Sequence, residues 1–129
     1  MSVLTMAPTL GDLLKFELNA SYTRETVTLK VGTSYPLGSV LGRITANSEY
    51  RLSPAALVAG DEGAEVAIAV LLDAVDATDA AVTGLIVARG PVILADGALA
   101  FDASVDQPAE RAAKIVQLAT VGLVARATV

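Results

Sequence analysis

Apolar and charged residues alternate in two short bursts near the amino terminus, Leu14-Lys15-Phe16-Glu17-Leu18 and Arg24-Glu25-Thr26-Val27-Thr28-Leu29-Lys30. A period of two is the signature of extended chain with one face to bury. Asn19-Ala20-Ser21 lies between the bursts as a turn, and the main apolar mass follows residue 36. Further short apolar segments at 38–45, 50–52, 66–72, 84–88, 92–94 and 99–101 read, together with 25–31, as a succession of strands. Gly60-Asp61-Glu62-Gly63 and Asp96-Gly97 punctuate them, and Asp-Gly is a strong hairpin cue because both residues tolerate positive φ. Residues 1–21, in which Pro8 and Gly11 discourage any helix, read as an extended arm that docks rather than catalyses.

One helix is predicted, over 107–119. Asp106 is placed to cap it, Pro108 suits its first turn, and Glu110 with Lys114 forms an i,i+4 pair. Ala112, Ile115, Val116 and Ala119 share one side, while Arg111, Lys114 and Gln117 share the other. The helix is expected to lay its apolar side over an open end of the β-structure, and 123–129 resumes as a final strand after Gly122. The pattern predicts a mainly β fold (α+β minor): a compact β-barrel or sandwich-like subunit with one short C-terminal helix and an extended N-terminal arm.

Composition adds a reason to expect assembly. The 129 residues suffice for one core, yet 53% are hydrophobic and 18% charged, with a mean hydropathy of +0.59. That balance predicts apolar surface facing another chain. Only 4% of residues are aromatic and none is Trp, which argues against a small β-barrel binding or adaptor module with a ring-lined peptide or sugar pocket. The net charge of −5 offers no basic field for nucleic acid. There is no Cys and no His, so the thiolate nucleophile, the commonest general base and the commonest metal ligands are missing. No basic n-region precedes Lys15, and the longest uncharged apolar run, 115–125, falls short of the roughly 20 residues a bilayer requires. The expectation is a soluble product with no membrane partner.

Candidate chemistry is thin. Asp73, Asp76 and Asp79 recur every three residues, whereas a calcium loop of the EF-hand kind needs oxygens at alternate positions, a central Gly and a distal Glu. They read as a solvated acidic turn. Asp61, Glu62 and Glu65 flank two glycines in a loop with nothing to raise a carboxyl pKa. In Gly38-Ser-Val-Leu-Gly42 the glycines are expected to permit a bulge or a close strand crossing. No phosphate loop, nucleophile elbow or dinucleotide fingerprint occurs. No enzyme activity, cofactor or metal is expected.

The segments 11–17 (Gly-Asp-Leu-Leu-Lys-Phe-Glu), 22–29 (Tyr-Thr-Arg-Glu-Thr-Val-Thr-Leu), 36–44 (Pro-Leu-Gly-Ser-Val-Leu-Gly-Arg-Ile), 69–78 (Ala-Val-Leu-Leu-Asp-Ala-Val-Asp-Ala-Thr) and 87–92 (Val-Ala-Arg-Gly-Pro-Val) occur in an order that resembles the head decoration proteins of tailed bacteriophages, the lambda capsid stabilising family. The resemblance runs from residue 10 to 129. It implies a virion protein made in the host bacterial cytoplasm. Such a protein forms a homotrimer, binds the phage major capsid protein on the outer surface of the expanded head at three-fold and quasi-three-fold sites, and stabilises it against internal DNA pressure. On that reading residues 1–21 are the capsid-binding arm and 22–129 a single β-rich decoration domain. Leu14, Phe16 and Leu18 are the expected inserting residues, with Leu10 and Leu13 as flanking anchors, and strand addition would supply the affinity. Val92, Leu94, Leu99 and Phe101 are the expected trimer contacts.

Overall fold

The computed structural model describes residues 10–127. Residues 1–9 of the expected arm and 128–129 of the expected last strand lie outside the described residues. The chain runs α1 (Leu10–Leu13), β1 (Leu14–Glu17), α2 (Ala20–Thr23), β2 (Arg24–Leu29), β3 (Ser34–Tyr35), β4 (Val40–Arg43), β5 (Tyr50–Leu52), β6 (Ala69–Leu71), β7 (Val75–Asp76), β8 (Val82–Val87), β9 (Val92–Ala95), α3 (Pro108–Ala119) and β10 (Leu123–Arg126). The fold is mainly β, as the alternation predicts.

Five strands close a barrel in the order β2-β5-β4-β6-β8. The longest ladder is antiparallel, from Arg24 opposite Val87 to Leu29 opposite Val82, and a single parallel pair, Leu29 with Tyr50, completes the ring. A three-stranded sheet, β1-β9-β10, packs beside it, with β1 antiparallel and β10 parallel to the central β9. A small ladder joins β3 to β7.

The period of two divides the apolar residues between two cores. Leu41, Ala69, Leu71 and Ile86 point into the barrel with Leu29, Tyr35 and Tyr50. Their chain neighbours Val40, Val70 and Val87 point outward, where they meet Leu13, Val92, Leu94, Leu118 and Leu123. β6 is therefore buried along its whole length, with a core on each face. Tyr35 donates its hydroxyl to the Lys30 carbonyl at 2.8 Å, and burial pushes its pKa up to about 12. Gly42 allows the close crossing expected of it, because a Cβ there would collide with the Ala64 backbone.

Several expectations change. Leu10–Leu13 forms one helical turn despite Gly11, and the alternating burst at 14–18 joins the subunit's own sheet through β9. Residues 99–101 form no strand. The Asp96-Gly97 pair is used in a 3-10 turn at Asp96–Ala98, after which the chain crosses to β4, with the Val40 N–H donating to the Ala100 carbonyl at 2.8 Å. The helix is capped at Gln107, whose N–H donates to the Glu110 carboxylate at 3.2 Å, and not at Asp106.

The helix is also turned round relative to expectation. Ala112, Val116 and Ala119 are exposed, while Lys114 and Leu118 are buried. Lys114 Nζ donates to Ser53 Oγ at 3.0 Å, the Pro54 carbonyl at 2.7 Å and the Glu65 carbonyl at 2.6 Å. All three ammonium hydrogens find acceptors, which is what permits its burial.

Candidate functional site

Cross-strand partners share a sheet face, so the register of the three-stranded sheet sorts its side chains. Val92, Leu94 and Leu123 face the core. Phe16 lies opposite Ile93, and Val124 lies opposite Ile93 on the other side, which makes an apolar row across the outer face. Phe16 is 46% exposed and Val124 38%, with Ile93 half-buried between them. Leu18 follows Phe16 by two residues and continues the row, its N–H donating to the Pro91 carbonyl at 3.3 Å.

Polar contacts fix the end of this face. The Glu17 carboxylate accepts from Arg24 Nη2 at 2.8 Å, Arg24 Nε at 2.9 Å and Thr23 Oγ1 at 2.5 Å, which folds α2 back onto β1. The hydrogen bonds from Arg24 hold the Glu17 pKa below its ordinary value. Beside this clamp, the exposed Tyr22 ring lies 5.4 Å from the Arg89 guanidinium, which also bonds Glu25 at 2.5 Å and the Tyr22 carbonyl.

Two further features stand on the barrel side. Residues 53–68 form a long connection whose segment 56–59, Ala-Leu-Val-Ala, is exposed throughout. Asp61, buried within it, accepts from Lys30 Nζ and Arg51 Nη1, both at 2.8 Å. Near it opens a groove of about 530 Å³ lined by Leu99, Phe101, Asp102, Arg111 and Ile115, with the Arg111 guanidinium 5.9 Å from the Phe101 ring.

The expected site residues therefore separate. Phe16 and Leu18 come together on one exposed face, while Leu13 is fully buried and Leu10 and Leu14 pack against the core. Val92 and Leu94 are likewise buried in the subunit's own core, so they are not free for a trimer contact; Leu99 and Phe101 are half-buried and line the groove. The sequence reading did not single out Val124, and it took in Ile93 only as part of the 92–94 stretch expected at the trimer contact. Their signal was present in the uniformly apolar runs 92–95 and 123–125, since alternate residues of a strand must face opposite ways.

The loop carboxylates serve the turns that hold them. Glu62 accepts from the Gly60 N–H at 3.2 Å and Glu65 from the Gly63 N–H at 2.9 Å, while Asp76 accepts from the Thr78 N–H at 3.0 Å. Among the described residues, no group of three or more His, Cys, Asp or Glu is arranged to hold a metal ion.

Asp61 and Glu17 should govern acid stability. Burial pushes the Asp61 carboxyl up, but the bonds from Lys30 and Arg51 outweigh it and leave the pKa lowered. A depressed folded pKa contributes stability that is present above the unfolded value and is lost as pH falls through the folded one. The melting temperature should therefore hold from pH 7 to near 5 and fall below about 4. Asp61→Asn should cost roughly 1.5–3 kcal/mol at pH 7 and shrink the acid-dependent part of the fall. Thermal melts of both proteins across pH 2–7 check this, and parallel curves would show that Asp61 is not a source of the acid sensitivity.

The family model described as bacteriophage lambda head decoration protein D matches residues 3–123. The chain belongs to this family. Comparison with curated proteins gives no match. As a head decoration protein it is a structural component associated with the phage capsid in the virion. In the decoration protein, no helix among the described residues is long and apolar enough to cross a membrane.

Proposed function

We propose that this decoration protein binds the outer surface of the expanded head as a homotrimer at three-fold and quasi-three-fold sites, where it cements neighbouring capsomers against internal DNA pressure. The observation that carries the capsid contact is the apolar row Phe16, Ile93 and Val124, exposed at both ends and continued by the exposed Leu18, on a sheet whose other face is packed in the core. A rigid apolar face is suited to a protein surface and does no chemistry. The major capsid protein is its partner. Leu10, Leu13 and Leu14 support this face from behind, and the docking element becomes the sheet face together with residues 1–9 rather than a free arm to residue 21. Three copies of the face in a trimer make the second and third engagements intramolecular, which can raise avidity by roughly 10²–10⁴.

The test is co-sedimentation with expanded, undecorated heads. Phe16→Asp and Leu18→Asp each remove an exposed apolar contact worth roughly 1.5–3 kcal/mol when buried, so each should weaken binding at least tenfold while leaving circular dichroism unchanged. Lys15→Ala should matter little, since that side chain is exposed and bonds the Gly11 carbonyl of the preceding helical turn. Wild-type occupancy by both Asp variants would remove the sheet face from the capsid contact.

A further inference from the structure

We propose that Arg126 completes the docking face by pairing its guanidinium with a carboxylate of the major capsid protein that stands at one end of an apolar capsid patch. This rests on the reading of the sheet face above and adds the charge chemistry of its partner. The chain has nine Lys and Arg residues, and all but one are engaged within the subunit. Arg24, Lys30, Arg51 and Arg89 form ion pairs. Lys114 is buried on its three acceptors, Lys15 bonds the Gly11 carbonyl, Arg43 bonds Ser48 Oγ at 2.7 Å, and Arg111 lies over the Phe101 ring. Arg126 is exposed and has no hydrogen bond, ion pair or ring contact among the described residues.

Its place on the sheet gives this free charge a use. Alternate residues of a strand face the same way, so Arg126 shares the outer face with Val124, while Leu123 is buried on the other. The register agrees, with Val124 opposite Ile93 and Arg126 opposite Ala95. Arg126 therefore stands roughly 6–7 Å along the strand from the apolar row. Leu18 continues the row the other way, since β1 runs antiparallel to β9 and the Leu18 N–H bonds the Pro91 carbonyl. The face thus has an apolar end at Leu18 and a cationic end at Arg126.

A guanidinium at the edge of a covered apolar row loses water on docking, and a carboxylate opposite it replaces that water with two parallel N–H···O bonds. The net charge of −5 repels an acidic surface in general, so the attraction is local to this one group. That locality sets orientation. A capsid patch turned end for end would bring its carboxylate to Leu18 and leave both charges unpaired. The family match ends at residue 123 and Arg126 lies beyond it, so family membership alone does not supply this contact.

Co-sedimentation of the full chain with expanded, undecorated heads tests the pairing. Arg126→Ala should weaken binding by roughly tenfold or more and Arg126→Glu by roughly a hundredfold, with Arg126→Lys between Arg126→Ala and the wild type. Circular dichroism and melting should not change, because the side chain makes no bond within the subunit. Arg126→Gln gives the same readout should Arg126→Ala lose its native spectrum. Intact heads whose carboxylates have been converted to amides with carbodiimide and ethanolamine supply the second arm. The wild type should bind them no better than Arg126→Ala does, and Arg126→Ala should bind treated and untreated heads alike. Wild-type affinity in Arg126→Ala, with Phe16→Asp still defective, overturns the pairing and leaves the sheet face standing. An equal loss by the wild type and Arg126→Ala on treated heads also overturns the pairing. Wild-type occupancy by both Phe16→Asp and Leu18→Asp overturns the sheet face and the pairing with it.

Discussion

Truncation through Ser21 should abolish stable folding, and Leu13→Ala alone should cost roughly 2–5 kcal/mol. Leu13 is fully buried in the core between the barrel and the three-stranded sheet, where it meets Val40, Leu94 and other apolar side chains. The truncation also removes β1 from β9 and deprives Arg24 of Glu17. Against the total of about 5–15 kcal/mol typical of a domain, the summed loss takes most of the stability. Circular dichroism and thermal melting of the two proteins check this. A truncated protein that melts cooperatively near the wild-type temperature would show that residues 10–21 are an appendage after all.

Lys114→Met should destabilise the subunit by roughly 2–4 kcal/mol although the new side chain has similar length and is apolar. Burial lowers the Lys114 pKa, so the ammonium carries a desolvation cost that the substitution would relieve. The opposing effect is larger. The Pro54 and Glu65 carbonyls and Ser53 Oγ converge on Nζ within 3.0 Å, and methionine offers them no donor. Unsatisfied carbonyls either stay buried at a cost or pull the loop away from α3 toward water. A lower melting temperature should therefore be accompanied by faster proteolysis within residues 55–60. Equal or greater stability in the variant would mean that desolvation wins and that the loop is held by its other contacts.

The sequence showed which segments extend but not always what they pair with. The strand at 50–52 was legible to the residue, and those at 25–31 and 84–88 to within two, because β-branched and apolar positions alternate there between clear turns. The burst at 14–18 was equally legible as extended chain. Alternation, however, shows that a face must be buried without saying whether its partner lies in the same chain, and β9 is distant in sequence. The continuous apolar run at 92–95 was the sign of a central strand, and β9 is indeed flanked on both sides, which is why Val92 and Leu94 are consumed within the subunit.

The helix shows a different limit. Ala112, Val116 and Ala119 form an apolar stripe on paper, but alanine gains little from burial, so the stripe has little weight in orienting a helix. Leu118 and the three acceptors around Lys114 decide the orientation instead, and those acceptors are loop atoms that no periodicity can reveal. The proposed docking face was half legible for a similar reason. Phe16 and Leu18 stood out beside charged neighbours, whereas Ile93 and Val124 were hidden among apolar ones and needed the register of two ladders to bring them out.

The most direct measurement is a pair of cryo-EM maps of expanded heads, one bare and one after addition of this protein. The account predicts added three-lobed density on the outer surface at three-fold and quasi-three-fold positions, with the face carrying Phe16, Ile93 and Val124 against the capsid. Identical maps at saturating protein, or added density confined to other positions or to the inner surface, would contradict it.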